Sequence, residues 1–365
     1  MFLIASTILV HKPFAKDSDL MEERSFQTSV GINLKYLLFT PENYDPSIRY
    51  PLVVTLRATG SDYINQVDNN DQAHPWIEDS VQARWPHFFM APECPGETWG
   101  GMMGAGTELS RECRAVIEAV ENLKTQYSLD TTRFIIGGFS LGGAGTYHMI
   151  QFLPDYWSAA CPVGAGGSAD AIEVISNTPI WHHQGLNDNN GAALTRMADA
   201  LESHDYPVLR ITSDMVVNSP IAWNNEIQKG TKPEDIIFKN AKPSYDSISR
   251  AVDAGEKYIY QLITGASHED SRLNANHNLL LAKWAFMQRK GDTSTTAITH
   301  VSKAKAVEAK WYGTVLTFGR SLNIDTYGMF NLAGQKSPGI GVGMKTGAPM
   351  LRIRKAEKEH SDSEK

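Results

Sequence analysis

A single serine among closely spaced glycines is the first residue whose surroundings suggest chemistry. Residues 133–150 read RFIIGGFSLGGAGTYHMI, and Gly138, Ser140 and Gly142 form a G-x-S-x-G pattern directly after a short apolar run. In this pattern the serine lies in a strained strand-to-helix turn, and the glycines let the neighbouring backbone approach closely. The hydroxyl is then exposed, and the Leu141 amide points toward the position of a developing oxyanion. The segment predicts a nucleophilic serine.

A serine hydroxyl needs a base, and a histidine base needs an acid that orients it. After a serine turn of this kind, the acid precedes the histidine along the chain. Asp188 follows the apolar run TPIWHHQG, and His268 follows the apolar run KYIYQLITG. Each residue comes directly after a predicted strand, in the expected order. We therefore predict a catalytic triad of Ser140, Asp188 and His268.

Other acids and histidines compete for these roles. Asp214, after VLRIT, is the best rival acid, although we place that segment outside the core strand order. His182 and His183 lie inside a predicted strand, which favours packing or supporting roles over catalysis. Glu269 and Asp270 adjoin the predicted base, but neighbours in sequence usually point elsewhere.

Hydrophobic patterns indicate the elements that must hold these residues. Residues 108–127 have apolar side chains at helical spacing and predict an amphipathic helix. Short apolar runs predict buried strands at 32–45, 49–62, 87–95, 133–138, 158–164, 178–185 and 257–265. Such strands alternating with helices predict an α/β fold with a doubly wound, mostly parallel sheet. Ligands of these sheets bind beyond the carboxyl ends of the strands, where the three predicted catalytic residues fall.

Composition excludes several classes of protein. The 365 residues are 42% hydrophobic, enough for one large domain and a small appendage. The net charge of −7 is spread over interspersed charges of both signs, so we predict no nucleic-acid partner. The three cysteines have no zinc-site spacing and favour buried positions, although a bridge between Cys94 and Cys113 stays open. We predict no metal or organic cofactor and no membrane association.

Changes in composition divide the chain. Residues 1–21 contain a nine-residue apolar run, too short to cross a bilayer, which is either the core of a signal peptide or an edge strand. We predict a catalytic domain at 22–290 whose insertion, 214–256, is a cap or a surface excursion. A polar linker is predicted at 291–306, a small β module at 307–354 and a charged tail at 355–365. The module should contain three strands, within 310–318, 322–336 and 349–355.

Several segments resemble one branch of the α/β-hydrolases, which includes polyhydroxybutyrate-depolymerase-like and feruloyl-type esterases and prolyl-oligopeptidase-like predicted peptidases. They are YLLFTPENYDPSIRYPLVVTL, MAPECPGETWGG and LDTTRFIIGGFSLGGAGTYHMIQFLPDYWSAACPVGAGG, together with the spaced Asp188 and His268. The resemblance covers about residues 22–290. It implies the α/β-hydrolase fold and a serine esterase that cleaves carboxylic esters through an acyl-enzyme.

The sequence departs from this family at two places near the predicted site. Where the family has a His-Gly pair after the third strand, this chain has LRATG at 56–60, and alignment assigns the second oxyanion amide to Thr59. Arg57 either pairs with a nearby carboxylate or recognises an acidic substrate group. Before the acid, Gln184 stands where the family has histidine. Trp99, in GETWGG, is our candidate for an aromatic wall of the substrate pocket.

The residues and the resemblance together predict hydrolysis of plant-polysaccharide-linked or other short acyl or aryl esters. A serine peptidase of prolyl-oligopeptidase type is one alternative, and a non-catalytic carbohydrate-binding or adhesion protein is another. The C-terminal module faintly resembles sorting or adhesion modules of secreted bacterial enzymes. With the N-terminal apolar run, it favours a secreted or periplasmic location over a cytoplasmic one. The expected partner is an ester substrate, and the sequence does not indicate an oligomeric state.

Overall fold

The computed structural model describes residues 16–59, 62–69, 73–100, 106–189 and 191–291, and the backbone of three further strands at 309–311, 314–318 and 351–355. The chain divides into two compact units, Met1–Thr296 and Ala297–Lys365. The N-terminal apolar run, the predicted linker beyond Gly291 and the charged tail beyond residue 355 lie outside the described residues. None of the described helices is long and apolar enough to span a lipid bilayer.

A nine-stranded sheet forms the centre of the first unit. Its strands are β1 (Glu22–Gln27), β2 (Asn33–Phe39), β3 (Tyr50–Leu56), β4 (Phe88–Pro92), β5 (Leu129–Phe139), β6 (Ala159–Val163), β7 (Ile180–Gly185), β8 (Leu209–Asp214) and β9 (Tyr258–Thr264). Their order across the sheet is β1-β2-β4-β3-β5-β6-β7-β9-β8. Only the pairings of β2 with β1 and with β4 are antiparallel, and the other six are parallel. The predicted α/β fold with a mostly parallel sheet is confirmed.

Helices cover both faces of this sheet. They are α1 (Tyr63–Asn69), α2 (His74–Ile77), α3 (Asp79–Gln82), α4 (Arg111–Gln126), α5 (Leu141–Phe152), α6 (Ile172–Ile175), α7 (Gly191–Ser203), α8 (Pro220–Gln228), α9 (Pro233–Ile237), α10 (Tyr245–Asp253), α11 (His268–Asn276) and α12 (Leu279–Met287). Two short 3₁₀ helices occur at Asp17–Leu20 and Ala169–Ala171. Helix α4, predicted from its apolar spacing, begins after Ser110, whose hydroxyl accepts a hydrogen bond from the Cys113 amide.

Two apolar layers hold the helices against the sheet. Successive side chains of β3 enter opposite layers, because side chains alternate along a strand: Leu52 packs in the first layer and Val53 in the second. Helices α4, α5 and α7 close the first layer, and α12 closes the second. The second layer also includes Trp223 and Ile248 from the predicted insertion, so this segment packs against the sheet.

Two expectations need correction, and one open alternative is decided. The segment before Asp214 is strand β8, which pairs with β9 at the edge of the sheet, so placing it outside the strand order was wrong. Strand β1 was missed, because its side chains are exposed or half-buried and carry little apolar pattern. The cysteines are all free and buried, and the open alternative of a bridge between Cys94 and Cys113 does not occur.

The second unit contains an antiparallel three-stranded sheet, in the order β10 (Ala309–Trp311), β11 (Thr314–Phe318) and β12 (Leu351–Lys355). Residues 310–318, predicted as one strand, supply parts of two. The predicted strand at 322–336 lies outside the described residues.

Candidate active site

Ser140 lies in a strained turn between the end of β5 and the start of α5. Its backbone has φ 56° and ψ −115°, and its amide donates to the Val163 carbonyl at 2.9 Å. A non-glycine residue in this conformation costs of order 1–3 kcal/mol. A Cβ atom at Gly142 would lie 1.9 Å from the Leu56 carbonyl oxygen, and one at Gly138 would lie 2.6 Å from the Gly142 carbonyl. The close backbone approach across this turn therefore requires both glycines.

His268 is the first residue of α11, which begins after a short turn that follows β9. Its Nε2 accepts a hydrogen bond from the Ser140 hydroxyl at 2.9 Å. The ring packs against Phe139, with ring centroids 4.6 Å apart. The imidazole is 31% exposed, so a bound substrate can reach it. Ser267 and Asp270 form a reciprocal cap at the start of the helix, so Asp270 positions the helix and not the imidazole.

Asp188 lies in the turn after β7, with a side chain only 2% exposed. Its Oδ2 accepts a hydrogen bond from His268 Nδ1 at 2.7 Å. Gln184, the residue after the histidine pair of β7, donates its amide N–H to the same oxygen. The structure thus brings together all three predicted catalytic residues.

The rival acid is held elsewhere. Asp214 ends β8, and its Oδ2 accepts a hydrogen bond from the Asn240 side chain at 2.8 Å. Strand β9 lies between β8 and β7, so Asp214 and Asp188 end strands that are not neighbours. Asp188 is the acid next to His268.

The two histidines of β7 are fully buried within the sheet. His182 Nδ1 lies 2.9 Å from the Tyr147 hydroxyl, and His183 stacks on Trp181. Desolvation by burial lowers the pKa of both imidazoles to about 3, so both are neutral at physiological pH. His182 and His183 do not contact Ser140, and they support the strand that carries Asp188.

The residues predicted to bind an oxyanion lie at the ends of β5 and β3. Leu141 is the first residue of α5, where backbone N–H groups have no acceptor within the helix. Thr59 is exposed and follows β3 by three residues. Strands β3 and β5 are parallel neighbours, so both residues follow the same end of the sheet.

Arg57 and Trp99 differ from expectation. The Arg57 guanidinium donates to the carbonyls of Ala58 at 2.8 Å and Cys94 at 3.1 Å, so its partners are backbone groups and the expected carboxylate pairing is wrong. Trp99 is only 1% exposed, and its indole N–H donates to the Arg57 carbonyl at 2.9 Å. A ring buried this deeply cannot form a pocket wall. Both side chains instead hold the loop that leads to Thr59.

Within the described part of the chain, no group of three or more His, Cys, Asp or Glu side chains is arranged to hold a metal ion. Gln184 is the site residue whose role sequence reasoning missed. The available signal was its position before the acid, where the resembling family has histidine.

Comparisons with known proteins relate this geometry to a family. No family model matches the sequence. The chain is 32% identical over 220 residues to a probable feruloyl esterase C of Aspergillus terreus, a match that covers 60% of this chain and 72% of that protein. It is 28% identical over 89 residues to a bifunctional acetylxylan esterase/xylanase of Neocallimastix patriciarum, covering 24% of this chain but only 13% of that much longer protein.

A solved structure, described as that of a thermostable esterase, shares the fold. It matches with a TM-score of 0.57 and 22% sequence identity over 75% of this chain and 64% of that chain. The shared fold agrees with the sequence match to the Aspergillus terreus protein, which extends over most of that relative. The chain therefore belongs to the feruloyl-type esterase branch of the α/β-hydrolases, a family of carboxylic ester hydrolases.

Proposed function

We propose that this protein hydrolyses carboxylic esters through a triad of Ser140, His268 and Asp188. The observation that carries the proposal is the unbroken hydrogen-bond path from the serine hydroxyl to the buried carboxylate, 2.9 Å and then 2.7 Å. A donor at Nδ1 fixes the tautomer in which Nε2 accepts the serine proton. The strained backbone of Ser140 supports the same role, since such strain concentrates at functional sites.

The reaction has two halves. Ser140 Oγ attacks the ester carbonyl carbon while its proton passes to His268 Nε2, and the carbonyl electrons move to the oxygen. The amides of Leu141 and Thr59 donate to this oxyanion, and Asp188 stabilises the imidazolium. Collapse breaks the bond to the alcohol, which leaves with the proton from His268. Water then attacks the acyl carbonyl carbon and gives one proton to His268. Collapse of this second intermediate breaks the bond to Ser140 Oγ, which takes that proton back from His268, and the acid is released.

The substrates that we propose are aryl or short acyl esters linked to plant polysaccharides. The names of two relatives support this class: a probable feruloyl esterase and a bifunctional acetylxylan esterase/xylanase. Because polysaccharides of this kind lie outside cells, we also infer that the protein is secreted or periplasmic. An ester is easier to cleave than an amide, since an alcohol is a better leaving group than an amine.

The test compares the wild type with Ser140→Ala on methyl ferulate, 4-nitrophenyl acetate and a 4-nitroanilide. We expect hydrolysis of the esters, little hydrolysis of the anilide, and loss of at least about 10⁴-fold in kcat on removal of the hydroxyl. A fluorophosphonate probe should label the wild type at Ser140. Ester turnover that survives the substitution would exclude Ser140 as the nucleophile, and preferential anilide cleavage would favour the peptidase alternative.

Ser158→Ala is the matched control. The Ser158 hydroxyl is buried and donates to the Phe134 carbonyl at 3.0 Å. Ser158 precedes β6, whereas Ser140 follows the parallel strand β5, so the two serines lie at opposite ends of the strands. Its removal should lower stability slightly while kcat and probe labelling stay at the wild-type level.

A further inference from the structure

Gln184 occupies an unusual position for a polar side chain. It is 0% exposed in the central strand β7, and its amide N–H donates to Asp188 Oδ2, the oxygen that also accepts from His268. A buried amide in the sheet core is costly unless its donor and acceptor groups are both satisfied. The other half of this amide, the oxygen Oε1, therefore needs a donor.

A chain of polar groups continues from Gln184 on the same face of the sheet. His182 is two residues away on β7, and residues i and i+2 of a strand share a face. His182 Nδ1 lies 2.9 Å from the Tyr147 hydroxyl, which lies 3.3 Å from the Tyr260 hydroxyl. All four of these side chains are buried.

The charge of Asp188 sets the direction of every hydrogen bond in this chain. A carboxylate only accepts, so Gln184 must present its N–H to Asp188 and turn Oε1 toward His182. The acceptor Oε1 requires a proton on His182 Nε2, and a neutral imidazole then has Nδ1 as an acceptor. Tyr147 must donate to that atom, and Tyr260 must donate to Tyr147.

The two atoms at the centre of this argument are complementary. His182 Nε2 and Gln184 Oε1 are both buried, and each lacks a hydrogen-bond partner in the described part of the chain, so a donor and an acceptor are left for one another. Burial lowers the pKa of His182 to about 3, while Gln184 as a hydrogen-bond partner and the charge of Asp188 partly oppose that shift. The imidazole therefore stays neutral and supplies one donor and one acceptor.

We propose that Gln184 is a positioning residue for the catalytic acid, with its amide held in one orientation by His182, Tyr147 and Tyr260. This inference rests on the triad proposed above. Held by Gln184, the carboxylate keeps Oδ2 directed at His268 Nδ1 as the imidazolium forms. Gln184 is fully buried and cannot contact substrate, so it acts on kcat and not on KM.

The first experiment replaces the amide with an apolar side chain of similar size. Gln184→Leu should lower kcat by about 10- to 100-fold, the range for loss of a hydrogen bond to a charged group, with KM changed by less than about twofold. Gln184→His restores an N–H donor and should recover most of the lost kcat. Each rate is divided by the concentration of active sites, which is measured by titration with a fluorophosphonate, so unfolded protein does not lower the apparent kcat.

Gln261→Leu is the matched control. Gln261 is a fully buried glutamine of the adjacent strand β9, and its amide donates to the Ser213 hydroxyl at 3.1 Å, away from Asp188. This change should lower the melting temperature but leave kcat within about twofold. Wild-type kcat in Gln184→Leu, or an equal loss of kcat in both variants, would overturn the proposal.

The second experiment tests the rest of the chain by non-additivity. Tyr147→Phe removes the donor to His182 and should lower kcat by about threefold in the wild type, but have no further effect in Gln184→Leu, because it acts through that amide. Tyr258→Phe removes another buried hydroxyl, bonded to the Ser176 carbonyl, and should not change kcat. Equal effects of Tyr147→Phe in both backgrounds would refute the connection.

A readout without substrate separates this proposal from the proposed function. The proton shared by His268 Nδ1 and Asp188 should give a low-field resonance in the ¹H NMR spectrum that is lost in His268→Ala. Gln184→Leu should shift or broaden this resonance, and Gln261→Leu should not. If the wild type does not hydrolyse esters but its resonance responds to Gln184→Leu, only the proposed ester hydrolysis is refuted. If the wild type is active but Gln184→Leu changes neither the resonance nor kcat, only the positioning role is refuted.

Discussion

Replacing Asp188 by asparagine tests the choice of acid most directly. When His268 takes the serine proton, the pair becomes an imidazolium and a carboxylate separated by 2.7 Å. At an effective dielectric constant of about 20, their attraction is about 6 kcal/mol. Asparagine carries no charge, and about 1.4 kcal/mol corresponds to a tenfold change in rate, so we expect kcat to fall by about 10⁴-fold. Because the Asp188 side chain is almost fully buried, KM should change little.

The assay measures kcat and KM for an aryl ester across pH for Asp188→Asn and for Asp214→Asn as the matched control. Asp214 bonds to Asn240 and ends a different strand, so its replacement should change kcat by less than about threefold. The reasoning would be refuted if Asp214→Asn lowered kcat by orders of magnitude while Asp188→Asn left it nearly unchanged.

Three further outcomes are expected. Gly142→Ala should abolish activity and lower stability by at least about 1–3 kcal/mol, since its Cβ would lie 1.9 Å from the Leu56 carbonyl oxygen. Gly137→Ala, whose Cβ would have its nearest contact at 3.2 Å, should lose less stability and less activity. Thermal melting and kcat are measured for both variants. A chain ending at Thr296, the boundary of the first compact unit, should hydrolyse a small soluble ester at the full-length rate, and a folded but inactive truncation would show that the second unit completes the site. Desolvation lowers the pKa of three fully buried histidines from 6.5 to about 3 or 4: His87, His182 and His183. The unfolded chain binds these protons below about pH 6.5 and the folded chain does not. The contribution of these three groups to the unfolding free energy should therefore be constant above that pH and fall below it by up to about 4 kcal/mol per pH unit; a flat profile from pH 7 to 5 would contradict this.

Many of the core strands could be predicted from the sequence, because a local run of apolar residues indicates that a segment is buried. The end of the strand that precedes Ser140, residues 134–139, is a run of buried residues without a polar side chain, since it is covered on both faces. The edge strands gave no such signal: β1 is exposed or half-buried throughout, and β8 alternates. An edge strand has less apolar surface to bury, so its pattern resembles that of a loop.

Aromatic residues near the site show where local reasoning fails. Trp99 follows a strand end and looks suited to a pocket, yet it is buried and bonded to the Arg57 carbonyl. Burial of a single side chain in a loop depends on which helices pack above it, and no period in the sequence records that. Arg57 likewise found its partners in backbone carbonyls, which have no sequence signature.

The sequence by itself determined the serine turn, because the reason for its glycines is local: the backbone of one turn approaches the adjacent strand too closely for any Cβ. It also determined that Asp188 and His268 follow strand ends, since both strands carry continuous apolar runs. Only the tertiary structure decided which acid lies beside His268, because β9 is inserted between β7 and β8 and the order along the chain does not reveal the order across the sheet. The hydrogen bonds that join Tyr260, Tyr147 and His182, and the one that joins Gln184 to Asp188, were equally beyond the sequence. Such bonds exist only once the fold has brought side chains from separate elements together.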